Sequence, residues 1–534
     1  MHSIEGFFDQ PDGSLFVTLN HNSPHDVATA LEIAKSAKNR GLTVSIIDLS
    51  PLTGRGRTQA FEMILRNHVW NSPNSPINKV SGICMELDIG FLDIPKNFSS
   101  KTKELAHKLS ADLPESLSEL EKWFAFDNDL GPSLASHLVT LVSLDENLNP
   151  RLFRKDLEKQ MQAYLHIKEF VIELLHGTKN PIVSVFNGRL PAMAAVVSAG
   201  RATNSKILWH EIGRTRDYFF LEDFSPHDRI EMQKAMAQFA EALPQSTLNE
   251  LANEFTSGRR VDLALNKFLA FQNPESGDFV TEAAKMALIL TSSPDETVGI
   301  GKSWSGVEWP NQYVALNKAI LKLQELGFHV VVRLHPNIAS KSWREYFRAV
   351  HSFRHISEDV YLPTDYVNTY DLIDQSAVVV VWRSTAGLEA NAIGKPTFCM
   401  GLSRYDSSAD VRTLHSEHEL SECTFSEYKV DRSRALAGIL WSKFAARRPT
   451  TIEYKDFISG CDDYLAFEAR RLRLLYFLLP FNLPGKIMEG PRVPIKTLFS
   501  IVGQQKAAKI IRRLHRFGSL GPTKLMHRAD WTKN

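Results

Sequence analysis

Short apolar runs of strand length alternate along the chain with longer segments in which apolar residues return every three or four positions, the pattern of an α/β protein. Residues 15–19 read as a strand that runs into the polar loop 20–26. Residues 27–39 follow with helical spacing and stop at Gly41, and residues 43–47 form the next strand, closing a βαβ unit. Residues 51–130, rich in Pro, Asn and Ser, fit neither period. The apolar run 138–143 reads as a strand, residues 151–175 as a long helix and residues 182–186 as a strand ending on Asn187-Gly188-Arg189. A further strand, 206–209, ends on His210-Glu211, and residues 226–273 are helical in pattern, suiting a crossover between domains.

The second half repeats the alternation more sharply. Residues 287–290 form a strand ending on Thr291-Ser292-Ser293, with Asp295 and Glu296 just beyond. A helix over 309–326 is stopped by Gly327, and the strand 329–334 ends on His335-Pro336. Ser342 and Glu345 have capping-box spacing for the next helix. Residues 377–381 are an unbroken apolar run, as expected of a parallel strand buried on both faces. The helix 386–393 leaves it and stops at Gly394, and Pro396 leads into the strand 397–400. This order predicts two doubly wound sheets facing a cleft. The expected division is an acceptor-side domain over 1–275, a ligand-binding domain over 276–445, and a helical, basic extension over 446–534.

Composition narrows the class. With 534 residues the chain exceeds one compact core, and 43% hydrophobic with 23% charged residues is the usage of a folded protein. A formal charge of +1 gives no support to a general affinity for nucleic acid. Cys84, Cys399, Cys423 and Cys461 lack paired or zinc-ligand spacing and read as reduced thiols. Neither a secretory leader nor a membrane span is evident, so a cytoplasmic location is expected. After residue 500, eight Lys/Arg stand against Asp530 alone, and residues 506–517 place apolar positions at helical spacing. That tail suits either an anionic membrane surface or docking of its apolar stripe on the body.

In open parallel sheets, ligands sit beyond the carboxyl ends of the strands, and this rule selects the candidate chemistry. Ser384-Thr385 opens a helix after a buried strand, where free N–H groups and the helix dipole suit a phosphate, although a simple N-cap needs the same residues. Glu389, one turn on, is placed to accept from a ribose diol or to pair with a lysine. His335, held at a strand end by Pro336, is placed to donate to a phosphoryl oxygen or to serve structure alone. Arg333, two residues earlier, would share its face and complete an anion clamp, with Ser292 and Ser293 as further donors. On the first half, Asn187, Gly188 and Arg189 would line the acceptor side. Glu211 or His210, with Asp217 in reserve, would take a proton from an acceptor hydroxyl, unless these residues form only a polar domain interface. There is no P-loop, no GxGxxG after a strand and no metal-ligand spacing, so no cofactor and no metal are expected.

Taken together, the segments around Arg333-Leu334-His335-Pro336-Asn337, Tyr370 to Asp374, Ser384 to Ala390 and Gly394-Lys395-Pro396 resemble bacterial capsular polysaccharide biosynthesis proteins. These are GT-B glycosyltransferases, distantly like Kdo transferases, sialyltransferases and the polyol-phosphate transferases of wall teichoic acid. Thr291 to Glu296 with Trp304 and Trp309 is similar to the opening of that family's second domain, and Asn187-Gly188-Arg189 to its first-domain motif. The resemblance covers about 291–401, and more weakly 187–217. It implies two Rossmann-like domains in a GT-B-like arrangement, a nucleotide-sugar donor held by His335, Ser384 and Thr385 with Glu389 near the ribose, and a glycan or lipid-linked glycan acceptor. Trp382-Arg383 departs from the small or polar residues common before Ser-Thr, and the acidic motif of sialyltransferases is not evident, so no base is carried over. Other readings are a UDP-GlcNAc 2-epimerase-like enzyme, a polyol-phosphate transferase or a non-catalytic partner in glycan assembly.

Overall fold

The computed structural model describes residues 4–8, 12–19, 24–49, 52, 76–142, 148–212, 218–248, 250, 253, 285–293, 300, 302–304, 306–340, 343–357, 359–363, 365, 367–426, 428–442 and 447–449. The first unit contains strands β1 (Ser14–Leu19), β2 (Thr43–Asp48), β3 (Gly90–Asp93), β4 (Pro181–Phe186), β5 (Lys206–Ile212) and β6 (Tyr218–Glu222). The second contains β7 (Met286–Leu290), β8 (His329–Arg333), β9 (Asp359–Tyr361), β10 (Val378–Val381), β11 (Thr397–Cys399) and β12 (Arg412–Thr413). A last strand, β13 (Arg447–Pro449), returns to the first sheet.

Sheet one runs β13-β6-β5-β4-β1-β2-β3, and sheet two runs β12-β11-β10-β7-β8-β9. Every described pairing in sheet two is parallel, while β5/β6 and β6/β13 are antiparallel. The central strands of both sheets are buried on both faces because helices cover both, so successive residues feed opposite cores. In β1, Leu15, Val17 and Leu19 enter one apolar cluster and Phe16 the other. In β10, Val378 and Val380 pack on one side, Val379 and Val381 on the other, all at 0% exposure. Each such side chain is worth about 1.5–3 kcal/mol of burial, which is why the apolar run is unbroken.

Both sheets reverse direction at their middle. From β1 the chain builds outward through β2 and β3, then resumes on the other side of β1 with β4. From β7 it builds through β8 and β9, then resumes across β7 with β10. In open sheets of this kind ligands bind at the reversal, beyond the strand ends, and those two places locate the candidate chemistry.

Several expectations need correction. The run 138–143 is not a strand: through Val142 it lies in the Leu130–Val142 helix, whose start is held by Asp127 Oδ1 accepting the Leu130 N–H at 2.9 Å. Leu134, Ala135, Ser136, His137, Leu138 and Val139 are all buried, and a helix enclosed on every side shows no amphipathic period. Residues 76–121, which fit neither period, supply helices Pro76–Glu86, Ser100–Ala111 and Leu117–Glu121 as well as β3. The strand expected over 206–209 continues to Ile212, and β6 turns back antiparallel beside it. Of the helical stretch expected over 226–273, Arg229–Ala242 is helix, and residues 254–284, with the expected division at 275/276, lie outside the described residues. The basic stretch 501–534 lies outside them too.

Candidate functional site

At the reversal of sheet two, three strand ends are tied together by hydrogen bonds. The His335 N–H donates to Thr291 Oγ1 at 2.8 Å, joining the ends of β8 and β7. Asn337 Nδ2 donates to Ser293 Oγ at 3.5 Å, and the Arg383 N–H donates to Ser292 Oγ at 3.3 Å, which brings in the end of β10. Beneath them Gln312 accepts from the Ser292 N–H and donates to its carbonyl, both at 3.1 Å. Ser292 and Ser293, 3% and 0% exposed, therefore tie the loops together and form the floor; their expected part in holding a ligand directly is corrected to that.

Pro336 begins a 3-10 turn, Pro336–Ser340, which folds the Asn337 N–H back onto His335 Nδ1 at 3.1 Å. That contact leaves the ring proton on Nε2, a donor. At the end of β10, across β7 from β8, the Thr385–Ala392 helix begins with Ser384 as N-cap, its Oγ accepting the Ala386 N–H at 3.3 Å, and Thr385 is exposed at the first turn. The Tyr405 hydroxyl donates to the Ser384 carbonyl and sits so close to Gly387 that a Cβ there would lie 2.5 Å from it. Only glycine admits that approach. Glu389, one turn on, is 8% exposed and accepts from Tyr370 Oη at 2.8 Å, so it lies deeper than its expected ribose position.

Arg333 does not join His335 in an anion clamp. Its guanidinium donates to the carbonyls of Leu362 and of Asp365, the latter at 3.3 Å, and the residue is 1% exposed. Burial pushes its pKa down to about 10, with Asp365 opposing that shift. Strand alternation is lost once Pro336 turns the chain, so the two side chains part.

At the reversal of sheet one, Asn187 and Gly188 both take positive φ, 57° and 76°, turning the chain sharply off β4. A Cβ on Gly188 would meet Trp209 Nε1 at 3.0 Å, so glycine is required twice over. The turn aims Asn187 at Glu211: Asn187 Nδ2 donates to Glu211 Oε2. Asn187 Oδ1 meets His227 Nε2 at 2.9 Å, and Arg189 Nε donates to Ser136 Oγ at 3.0 Å. His210, expected as a base, is instead 1% exposed between strands, with Nδ1 2.9 Å from Ser184 Oγ and its ring edge-on to Phe186. Burial pushes it down to about 3, so it stays neutral and out of reach. Asp217 lies outside the described residues, as do Asp295 and Glu296.

The two reversals meet through Trp304 and Arg383, which the motifs include, and through His227, Arg229 and Asp406, which they do not. Trp304 Nε1, from the second unit, donates to the His227 carbonyl at 2.7 Å. Arg383 lies 5.7 Å from the Trp304 ring and 5.0 Å from that of Trp382, which explains the departure at Trp382-Arg383: the pair packs the seam by cation–π contact. Arg229 donates to Asp406 at 2.7 and 3.0 Å and to the Ser303 carbonyl at 2.8 Å. His227 carries no readable signal, being one histidine in a Ser-Pro-His-Asp loop. Among the described residues, no group of three or more His, Cys, Asp or Glu is placed to hold a metal ion, and no helix is long and apolar enough to cross a membrane. A separate cavity of about 580 Å³, lined by Gln245, Asn253, Lys429 and Arg432 among others, contains none of the candidate residues.

This architecture defines the class: two Rossmann-like units, each with a polar loop at its own switch point. More narrowly, residues 288–420, about a quarter of the chain, match the family model described as capsule polysaccharide biosynthesis protein. Over that stretch, which holds His335, Ser384 and Glu389, the chain is similar to that family, as its motifs lead one to expect. No curated protein matches the sequence. Among solved structures, the chain is similar to the beta Kdo 2,7 transferase of Thermosulfurimonas dismutans KpsC (15% identity over 57% of this chain and 89% of that one, TM-score 0.34). Two further similar structures are a putative UDP-N-acetylglucosamine 2-epimerase from Listeria monocytogenes (9%, 82% and 94%, TM-score 0.28) and Acinetobacter baumannii MurG (9%, 81% and 98%, TM-score 0.26).

Proposed function

We propose that this protein is a glycosyltransferase of surface-polysaccharide assembly, taking its sugar from a nucleotide-sugar donor. One observation carries the reading: a hydrogen-bonded junction ties together the three strand ends that bear Ser292-Ser293, His335 and Arg383, the last leading directly into the Thr385–Ala392 helix. The match of residues 288–420 to the capsule family supports the same reading. As the sugar departs, negative charge grows on the leaving phosphate, and fixed donors aimed at it lower the barrier without reorganising. Serving that phosphate are His335, the Ser384-Thr385 end of the helix, and Arg383 close behind. The acceptor hydroxyl is oriented from the first unit by the loop Asn187-Gly188-Arg189, and bringing both reactants into one seam supplies the positional advantage. A basic segment over 501–534 would draw the enzyme to a lipid-linked acceptor at the inner membrane face.

A hydrogen bond to a charged phosphoryl oxygen is worth about 1.5–3 kcal/mol. His335→Ala is therefore expected to weaken donor binding by roughly 10- to 100-fold and to slow transfer. The donor is found first by thermal shift against CMP-, UDP-, GDP- and CDP-sugars, since a tight ligand stabilises the native state by mass action. Unchanged affinity and rate in His335→Ala would remove the phosphate role. Turnover of UDP-GlcNAc with no acceptor present would replace transfer by epimerisation.

A further inference from the structure

Resting on the glycosyltransferase reading, we propose that His227 receives the proton of the acceptor hydroxyl, held in the required tautomer by Asn187 and Glu211. The argument begins with the direction of the hydrogen bonds. An ionised carboxylate only accepts, so the Asn187 group facing Glu211 is its NH2, and the group facing His227 is its carbonyl oxygen. That oxygen needs a donor, which fixes the His227 proton on Nε2. Nδ1 is left with a bare lone pair, shielded from solvent, with no hydrogen-bond partner among the described residues. A buried acceptor left unmet is costly and uncommon, and at a site it marks where a donor arrives. A sugar hydroxyl is such a donor.

Position supports the role. The His227 carbonyl is fixed by Trp304, whose ring lies beside Arg383, the residue before Ser384. The imidazole thus stands on the first unit's side of the seam, adjoining the loop proposed to hold the donor phosphate. As the acceptor oxygen bonds to the anomeric carbon, its proton passes to Nδ1. The bond from that carbon to the phosphate oxygen breaks, and its electron pair stays on the nucleotide phosphate beside His335.

The surrounding charges set when this occurs. Burial first, then Arg404 and Arg189, hold the His227 pKa well below its ordinary value, so the ring is neutral and its lone pair available. Arg404 comes from the loop after β11 and Arg189 from the loop after β4. On its own element Asp228 caps the Arg229–Ala242 helix, and Arg229 is paired with Asp406. Glu211 reaches the ring through Asn187. A bound donor's phosphates offset the two arginines and raise the ring's proton affinity when an acceptor is present.

His227→Gln tests this cleanly, because a glutamine amide still donates toward Asn187 Oδ1 and supplies no base. In the full-length protein, transfer is expected to fall by about 100-fold or more with the donor Kd within about twofold of wild type. Glu211→Gln frees Asn187 to reverse its amide. It should lower kcat by roughly tenfold and move the acid limb of the pH–rate profile, which a merely structural contact would leave in place. Wild-type kcat in His227→Gln overturns the inference alone, as does a loss of kcat matched by an equal loss of donor affinity, the sign of a collapsed site. A wild-type protein that binds donor and transfers to no glycan acceptor overturns the glycosyltransferase reading and this one with it.

Discussion

Two histidines expected at strand ends look alike in the sequence, and their surroundings give them different fates. His335 is held by a proline that follows it, a covalent constraint visible without any fold. His210 follows an apolar strand in the same way, yet β6 adds a strand beside it and seals it in. Its pH dependence follows. In the native state burial keeps the ring neutral down to about pH 3, while the unfolded chain binds a proton near 6.5. Between those values the unfolded state holds the extra proton, so stability falls as pH drops, by about 1.4 kcal/mol per pH unit. Urea midpoints at pH 7, 6 and 5 should fall less steeply, by one proton, in His210→Gln than in wild type. Identical slopes would show that the imidazole is not sealed as the packing indicates.

Among elements, the helices of the first unit are organised by one carboxylate that no motif announced. Asp127 accepts from Tyr164 Oη at 2.7 and 2.8 Å, Lys168 Nζ at 2.7 Å, Ser198 Oγ at 2.9 Å and the Leu130 N–H. It thereby joins the Arg154–His176, Pro191–Ala202 and Leu130–Val142 helices. Burial alone would raise its pKa, but the bonds from Lys168, Tyr164 and Leu130 outweigh that and hold it below the usual carboxylate range. Its stabilisation is complete above the unfolded pKa near 3.9 and is lost as pH falls through the lower native value. Asp127→Ala leaves Lys168 and two hydroxyls unpaired in a mostly buried place, and a loss of about 3–5 kcal/mol is expected by urea denaturation at pH 7. A shift under 1 kcal/mol would mean that water replaces the carboxylate at no cost. This hub also explains why residues 138–143 misread as a strand. Their apolar run is continuous because helices close over it, and such a run carries no period to distinguish helix from strand.

At the scale of the whole molecule, the connection between units is also an interface. The Arg229–Ala242 helix follows the first sheet in sequence, yet it bonds to the 403–408 loop of the second unit. Arg229 and Gln233 both donate to Asp406, and Gln233 also donates to the Ser403 carbonyl at 3.0 Å. Its buried face packs with the Arg432–Leu440 helix and Trp441, after which β13 carries the chain back to β6. Removing one partner of a buried charge pair costs about 3–5 kcal/mol, so Asp406→Ala should lower the urea midpoint. It should also expose the 223–228 connection to limited proteolysis, since that connection would then join two loosely held bodies. Unchanged midpoint and cleavage pattern would show that apolar packing alone holds the helix.

Local constraints were readable from the residues themselves: alternating strand and helix periods, Gly188 at a turn, Pro336 after His335, Ser384 opening a helix. Each depends on neighbours within a few positions, where backbone sterics and capping act. Which polar side chains would converge was settled only by folding. Asn187, Glu211, His227 and Trp304 lie far apart along the chain and meet because both sheets reverse direction at their centres. Arg333 parts from its expected partner because Pro336 turns the chain, and donates instead to carbonyls 29 and 32 residues away. Burial and long-range pairing are properties of the assembled layers, and they decided which of the candidate groups face a shared seam and which are spent holding it together.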